Sequence, residues 1–101
     1  MSTFALVGSI DIFGKIRDER GNHVGRIDMS GNIRDYPGNY IGKIDKLGNF
    51  IDEAGDNVGK IDEFGNIYDS KGDKIGEKDS SGNFRGKYAI KDWFKKIKSH
   101  K

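Results

Sequence analysis

GKIDKLGNFIDEAGDNV, residues Gly42–Val58, is followed at once by GKIDEFGNIYDSKGDKI, Gly59–Ile75. The two segments share a 17-residue unit, and the unit runs both ways along the chain. Upstream stand GSIDIFGKIRDERGNHV from Gly8 and GRIDMSGNIRDYPGNYI from Gly25. Downstream stands a degenerate GEKDSSGNFRG from Gly76. Every glycine except Gly86 falls on one of three slots of this unit. Such short-period self-similarity marks an architecture in which no single unit can bury its own apolar face.

Each full unit holds two D-x-x-G turns. The first turns are Asp11–Gly14, Asp28–Gly31, Asp45–Gly48, Asp62–Gly65 and Asp79–Gly82. The second are Asp18–Gly21, Asp35–Gly38, Asp52–Gly55 and Asp69–Gly72. Aspartate opening a turn accepts hydrogen bonds from its amides, and glycine closing it supplies φ > 0. The intervals between turns fit only short strands, alternately short and long, in an antiparallel meander with all first turns at one end. Asp35-Tyr36-Pro37-Gly38 conflicts with this register, because proline is disfavoured third in a type I turn. A type II turn over Tyr36–Asn39 removes the conflict and shifts the second turns by one residue.

The apolar slots are Ile16, Ile33, Phe50, Ile67 and Phe84 on the short strands. On the long strands they are Val24, Ile41, Val58 and Ile75, then Ile10, Ile27, Ile44 and Ile61. The two long-strand slots are three residues apart and would face opposite ways in a regular strand. A glycine lies between them, the mark of a bulge or bend that turns both to one core. In the fifth unit Lys78 replaces the isoleucine and Glu77 the usual Lys or Arg, as terminal repeats that cap an array often do. After Gly86, Ile90, Trp93, Phe94 and Ile97 fall on one helical face, with lysines opposite.

The expected fold is therefore all-β: a shallow, quasi-symmetric antiparallel barrel of four to five β-hairpins, closed to remove its edges. It forms a single domain over 1–101, with repeats over 8–86 and a basic amphipathic helix over 87–101 whose aromatic stripe fills the axis. The units written as G-[KR]-I-D-x-x-G-N-[IF]-x-D-x-x-G-x-x-[IV] resemble the four-fold β-flower family over residues 8–86. That resemblance implies a radial barrel of hairpin petals around an apolar channel, similar in shape to the tubby and scramblase-type barrels. It implies no catalytic residues. The degenerate fifth unit leaves the petal count at four or five.

The net charge is +2, but the last 15 residues carry six lysines and one aspartate, so the rest is net acidic. This asymmetry argues for an interaction tail or a docked helix and against specific nucleic-acid binding. There is no cysteine, hence no disulfide framework. The first residues lack the basic and apolar regions of a signal peptide, so a soluble cytoplasmic protein is expected.

Nine turn aspartates raise the question of calcium, but calcium needs six to eight converging oxygens from dense spacings. Turn capping accounts for all of them, so no metal or other cofactor is expected. His23 and His100 are the only histidines, and no nucleophile elbow or phosphate loop appears, so no enzyme is expected. What repeats is cationic. Arg26, Lys43 and Lys60 hold one slot, and Arg17, Arg34 and Arg85 hold another. Rotational symmetry would array each set as a partial ring focused on an anion, and the ordinary alternative is a solvated outer face. Strand alternation suggests that only one set can face the site. With Tyr68 and Trp93 as stacking surfaces, the expected function is a non-enzymatic module that captures a small nucleotide-like anion. The alternatives are a membrane-surface or protein-binding adaptor using the basic helix, a homo-oligomer, or a structural module with no ligand.

Overall fold

The computed structural model describes residues 3–93. The chain forms β1 (Ala5–Ile10), β2 (Lys15–Asp18), β3 (His23–Ile27), β4 (Asn32–Asp35), β5 (Tyr40–Ile44), β6 (Asn49–Asp52), β7 (Asn57–Ile61), β8 (Asn66–Tyr68), β9 (Lys74–Lys78) and β10 (Asn83–Gly86), then a 3-10 turn at Ile90–Asp92. Each strand pairs antiparallel with its neighbours in sequence, and β1 pairs with β10, so the ten strands close into a barrel. The first turns lie on one rim, here called the upper rim, and the second turns on the lower rim.

The turn chemistry dictates the hairpins. In the turn at Asp45 the carbonyl of Asp45 accepts from Gly48 N–H, and Asp45 N–H donates to Asn49 O. The Asp45 carboxylate accepts from the amides of Leu47 and Asn49 and from the Asn49 side chain. This is a three-residue hairpin loop, a type I turn closed by a left-handed glycine. Asparagine after the glycine recurs because its side-chain amide takes the second carboxylate oxygen, as at Asp28, Asp62 and Asp79. Where Lys15 stands in that position, Arg17 Nη1 donates to Asp11 instead, at 3.0 Å.

The turn at Pro37 keeps the common register. Gly38 N–H donates to Asp35 O, as in every other turn, so the shift to a type II turn over Tyr36–Asn39 does not occur. Proline is accommodated because it forfeits one bond. At this position the other turns donate an amide to the aspartate, and Gly38 N–H takes over that role at 3.1 Å.

Every long strand bends as its internal glycine implies. The register between β2 and β3 passes from Ile16↔Gly25 to Arg17↔His23, leaving Val24 as an extra residue. The same bulge falls on Val7, Ile41, Val58 and Ile75. A bulge turns the strand by one residue, so Val24 and Ile27, three apart, both pack against the one core. That core holds Ile33, Phe50, Val58, Ile67, Ile75 and Phe84, joined by Ile90 and Trp93.

A ring of hydrogen bonds locks the upper rim. Ile27, Ile44, Ile61 and Lys78 each donate N–H to the turn glycine of the preceding hairpin, at 2.8 Å. The ring closes with Ile10 N–H donating to Gly82 O at 2.8 Å, joining first hairpin to last. Barrel closure leaves no free strand edge among the described residues.

The C-terminal segment departs from the expected helix over 87–101. Residues 87–89 are not helical: Lys87 N–H donates to Ile75 O at 2.9 Å and holds the chain along β9. Helical geometry starts at Ile90 as a 3-10 turn. Phe94, Ile97 and the rest of the expected helix lie outside the described residues. Within the described residues no helix is long and apolar enough to cross a membrane.

Candidate functional site

The barrel axis holds a cavity of about 210 Å³. Two tiers of the repeat line it. Ile10, Ile27, Ile44 and Ile61 form the tier next to the upper rim, and Ile16, Ile33, Phe50, Ile67 and Phe84 form the tier below. Ile90, Lys91 and Trp93 close it from the lower end. The uppermost isoleucines are only half-buried, so the cavity reaches the surface at that rim. Lys78 completes their tier in the position that isoleucine takes in the other units. Its Nζ lies 3.5 Å from the carbonyl of Asp79. Lys78 therefore brings an ammonium to the upper rim of a largely apolar chamber, whose other charged neighbours are Arg34, Asp35 and Lys91.

Trp93 is the floor. It is buried, its indole N–H donates to Tyr88 O at 2.7 Å, and its ring meets Phe84 edge-on at 5.3 Å. The ring lies where side chains on Gly76 and Gly86 would be. Trp93 thus belongs to the wall of the cavity.

The cationic slots are arranged otherwise than expected. Arg26 pairs directly with Arg34, while Lys43 faces Ile51, Lys60 faces Tyr68 and Arg85 faces Glu77. Directly opposed residues project to the same side of a sheet. Both cationic sets therefore share one face, the outer wall, and the idea that only one of them can face a site is corrected. Alternation from the core is the reason: Arg26 neighbours the inward Ile27 and Arg34 the inward Ile33, so both point outward. Arg26, Lys43 and Lys60 are exposed, and the inward direction is taken by Ile33, Phe50 and Ile67.

Several of these groups already have partners. Arg17 is bound to Asp11, and that contact, with the amides of Lys15 and Phe13, holds the Asp11 carboxyl below its ordinary range. Arg34 borders the cavity wall, but its guanidinium donates to Gly38 O at 3.1 Å and lies 5.8 Å over the Tyr40 ring. Lys60 lies 5.7 Å over Tyr68. These two are brought together in a shallow outer groove of about 190 Å³ with Asn49, Asn57, Asp69 and Ser70.

The turn aspartates are engaged by their own loops. The Asn32 and Asn49 amides are the main reason that Asp28 and Asp45 sit below the ordinary carboxylate value. Among the described residues no three side chains of metal-ligating type gather.

The upper rim holds a feature that the repeat itself hides. The two variable residues of each D-x-x-G turn stand at the tip of a hairpin. On the upper rim they include Ile12, Phe13, Met29, Leu47 and Phe64, of which the least exposed, Phe13, is still 76% exposed. On the lower rim the tips are Glu19-Arg20, Tyr36-Pro37, Glu53-Ala54 and Ser70-Lys71. The signal is in the sequence, in the contrast between first-turn and second-turn tips. It becomes a surface only once the barrel gathers alternate turns on one rim. No protein family, curated protein or solved structure matches this chain in comparisons of sequence and fold.

Proposed function

We propose that the protein is a non-catalytic binding module whose axial cavity takes a small amphipathic anion, of the class of a medium-chain carboxylate. The observation that carries this reading is the largely apolar cavity with Lys78 at its upper rim, while Arg34, Asp35 and Lys91 border it elsewhere. The volume exceeds the roughly 150 Å³ of a cavity that accepts benzene, and falls below the ~300 Å³ of drug-sized sites. A single aliphatic chain suits such a space. A largely apolar chamber with a few polar groups is also the usual composition of small-ligand sites. A nucleotide at the axis is disfavoured, since the repeated cations stand on the outer wall and a phosphate among isoleucines would lose its hydration uncompensated.

The test is calorimetric titration with octanoate and with octanol, on the parent chain and on Lys78→Ile. The substitution installs the residue that the other units carry, so the fold is kept. A charge-assisted contact of about 1.5–3 kcal/mol corresponds to a loss of roughly ten- to a hundredfold for octanoate. Octanol affinity should be unchanged. Absence of octanoate binding by the parent chain, or equal losses for both ligands, would refute the reading.

A second reading keeps the nucleotide-like anion and moves it to the outer groove, where Lys60 and Tyr68 meet. Thermal-shift screening with nucleotides against Lys60→Gln tests it. The fold itself we read as a β-flower relative with five hairpin petals, supported by the closed ring of short hairpins and its 17-residue unit. A C-terminal helix continuing from Ile90 belongs to the same proposal.

A further inference from the structure

Isolated apolar residues on a surface are ordinary, but a set gathered on one face marks an interaction surface. Ile12, Phe13, Met29, Leu47 and Phe64 crown one end of the barrel, and the opposite rim shows only Tyr36 as a comparably exposed large tip. We propose that this crown is a self-association surface, on which a second copy of the chain docks head-to-head about a two-fold axis. The proposal is independent of the cavity's ligand, since none of the tips lines the chamber.

Area argues for a second copy. Full burial of one side chain of this size removes roughly 60–120 Å² of apolar surface from water. The five tip residues together amount to about 300–600 Å² per copy. That is the range of the largest apolar patch on a typical monomer, which is often functional. Homodimer interfaces are about 65% apolar, so the whole contact would cover about 450–900 Å² per copy. A stable interface takes about 800 Å² per partner. The half-buried isoleucines at the cavity mouth open on the same rim and add to the surface a second copy would cover.

Charge and symmetry argue for it independently. The rim as a whole is close to neutral, because the turn aspartates, Glu63 and Glu77 stand against Lys15, Arg26, Lys43, Lys46, Lys60 and Lys78. A copy of the same rim therefore meets no net repulsion, whereas a highly charged partner finds no opposing field. On the tips themselves the charged residues are Lys46 and Glu63, which stand on neighbouring turns. A two-fold axis makes a patch face itself in reverse order. The upper turns follow one another around the closed barrel in sequence order, so a head-to-head contact has as many registers as there are turns. One register sets the Asp45 turn against the Asp62 turn of the second copy. Lys46 then opposes Glu63, and by symmetry the pair forms twice. In the same register Leu47 meets Phe64, Ile12-Phe13 meets its own counterpart, and Met29-Ser30 meets Ser80-Ser81. Other registers set Lys46 against Lys46 or Glu63 against Glu63, which like-charge repulsion disfavours. The remainder leave both charges facing uncharged tips. The order of the tips is thus self-complementary in one register and penalised in others.

The test is sedimentation equilibrium of the full chain from micromolar to millimolar concentration. The variants are the combined Phe13→Ser, Leu47→Ser, Phe64→Ser chain, the single reversals Lys46→Glu and Glu63→Lys, the combined reversal Lys46→Glu, Glu63→Lys, and Tyr36→Ser on the opposite rim. Circular dichroism verifies that each is folded, and all these positions lie outside the core. The parent chain is expected to dimerise, and Tyr36→Ser to match it. The tip variant should be monomeric. Each single reversal creates two like-charge pairs and should weaken the dimer by about tenfold or more. The combined reversal restores opposite charges and should recover most of the parent's affinity. A parent chain that stays monomeric overturns the proposal, and its co-sedimentation with lipid vesicles would then assign the crown to a membrane. A tip variant that still dimerises overturns it, because the interface then lies elsewhere. A combined reversal that associates no more tightly than the single ones overturns it as well.

Discussion

Gly48 and Gly55 close the two turns that flank β6, have the same backbone conformation, and should respond very differently to alanine. Their φ angles are 87° and 89°, so each substitution incurs the left-handed cost of about 1–2 kcal/mol. At Gly55 that is all, because a Cβ would have nothing within 4 Å. At Gly48 the Cβ would lie 2.3 Å from the carbonyl oxygen of Ile61, which belongs to the next hairpin. Backbone must then move, and the moving segment carries the Ile61 N–H to Gly48 O bond of the upper ring. Losing that bond adds about 1 kcal/mol if water replaces it, and about 1–3 kcal/mol if a group is left unpaired. Gly48→Ala should therefore cost about 2–5 kcal/mol and Gly55→Ala about 1–2 kcal/mol. For a domain of this size, each kcal/mol moves Tm by roughly 4–8 °C. The assay is urea unfolding of both variants followed by circular dichroism, with Gly55→Asn as a third chain. Asparagine tolerates the left-handed region, so Gly55→Asn should be milder than Gly55→Ala. A Gly48→Ala chain that does not fold while Gly55→Ala does would agree with the argument. Equal losses at the two positions would refute it, because the inter-hairpin ring would then contribute nothing.

Trp93→Ala should cost about 3–5 kcal/mol by opening the floor of the cavity against Phe84, Gly76 and Gly86; thermal unfolding measures it, and a change under 1 °C would place the indole outside the core. Lys78→Ile, besides its effect on octanoate, should raise stability by about 1 kcal/mol, since it completes the upper isoleucine tier; a lower urea midpoint would contradict that. Acid should destabilise the barrel. Asp28 and Asp45 are held below their ordinary value of 3.8 by their loop amides, so the stability they add is present above that pH and is lost as pH falls through the lower folded values. Asp45→Asn should thus be less stable than the parent at pH 7, with the gap closing at about pH 2; unfolding at the two pH values checks it, and a gap that widens in acid refutes it.

Much of the fold is legible because the repeat states one hairpin again and again. Asp45, Gly48 and Asn49 specify a loop by local hydrogen bonds alone, so the turn positions follow from residue types without tertiary information. The bulge was also legible, from the three-residue spacing of Val24 and Ile27 around Gly25. The faces of the cations were not read correctly. Arg26 and Arg34 each stand next to a core residue, Ile27 and Ile33, and alternation from those residues already points both outward. Pro37 misleads for a different reason. A local preference of its ring argues for a shifted turn, but the shift would move Asp35 out of line with Asn39, and the ladder on both sides of the turn outweighs it.

The functional surfaces were hidden by the same regularity that reveals the fold. A repeat draws attention to invariant slots, which here serve turns, bulges and core. Rotational symmetry then makes those slots equivalent, so none of them by itself can define a directional site. A single orientation for a ligand or a surface has to come from residues that depart from the unit. Lys78 does so by putting one ammonium in a tier of isoleucines, and this breaks the equivalence of the five walls around the cavity. The tip residues do so in another way. They are the most variable positions of D-x-x-G, and within one unit Leu47 on the first turn differs from Ala54 on the second. That difference, repeated around the barrel, makes the tips of one rim largely apolar and those of the other largely polar. The consequence can be read without any ligand in hand: exchanging the tip dipeptides Lys46-Leu47 and Glu53-Ala54 should leave the barrel folded, because neither pair enters the core, while it weakens the distinction between the rims. If the exchanged chain unfolds, the tips are structural, and neither rim is free to serve as a binding surface.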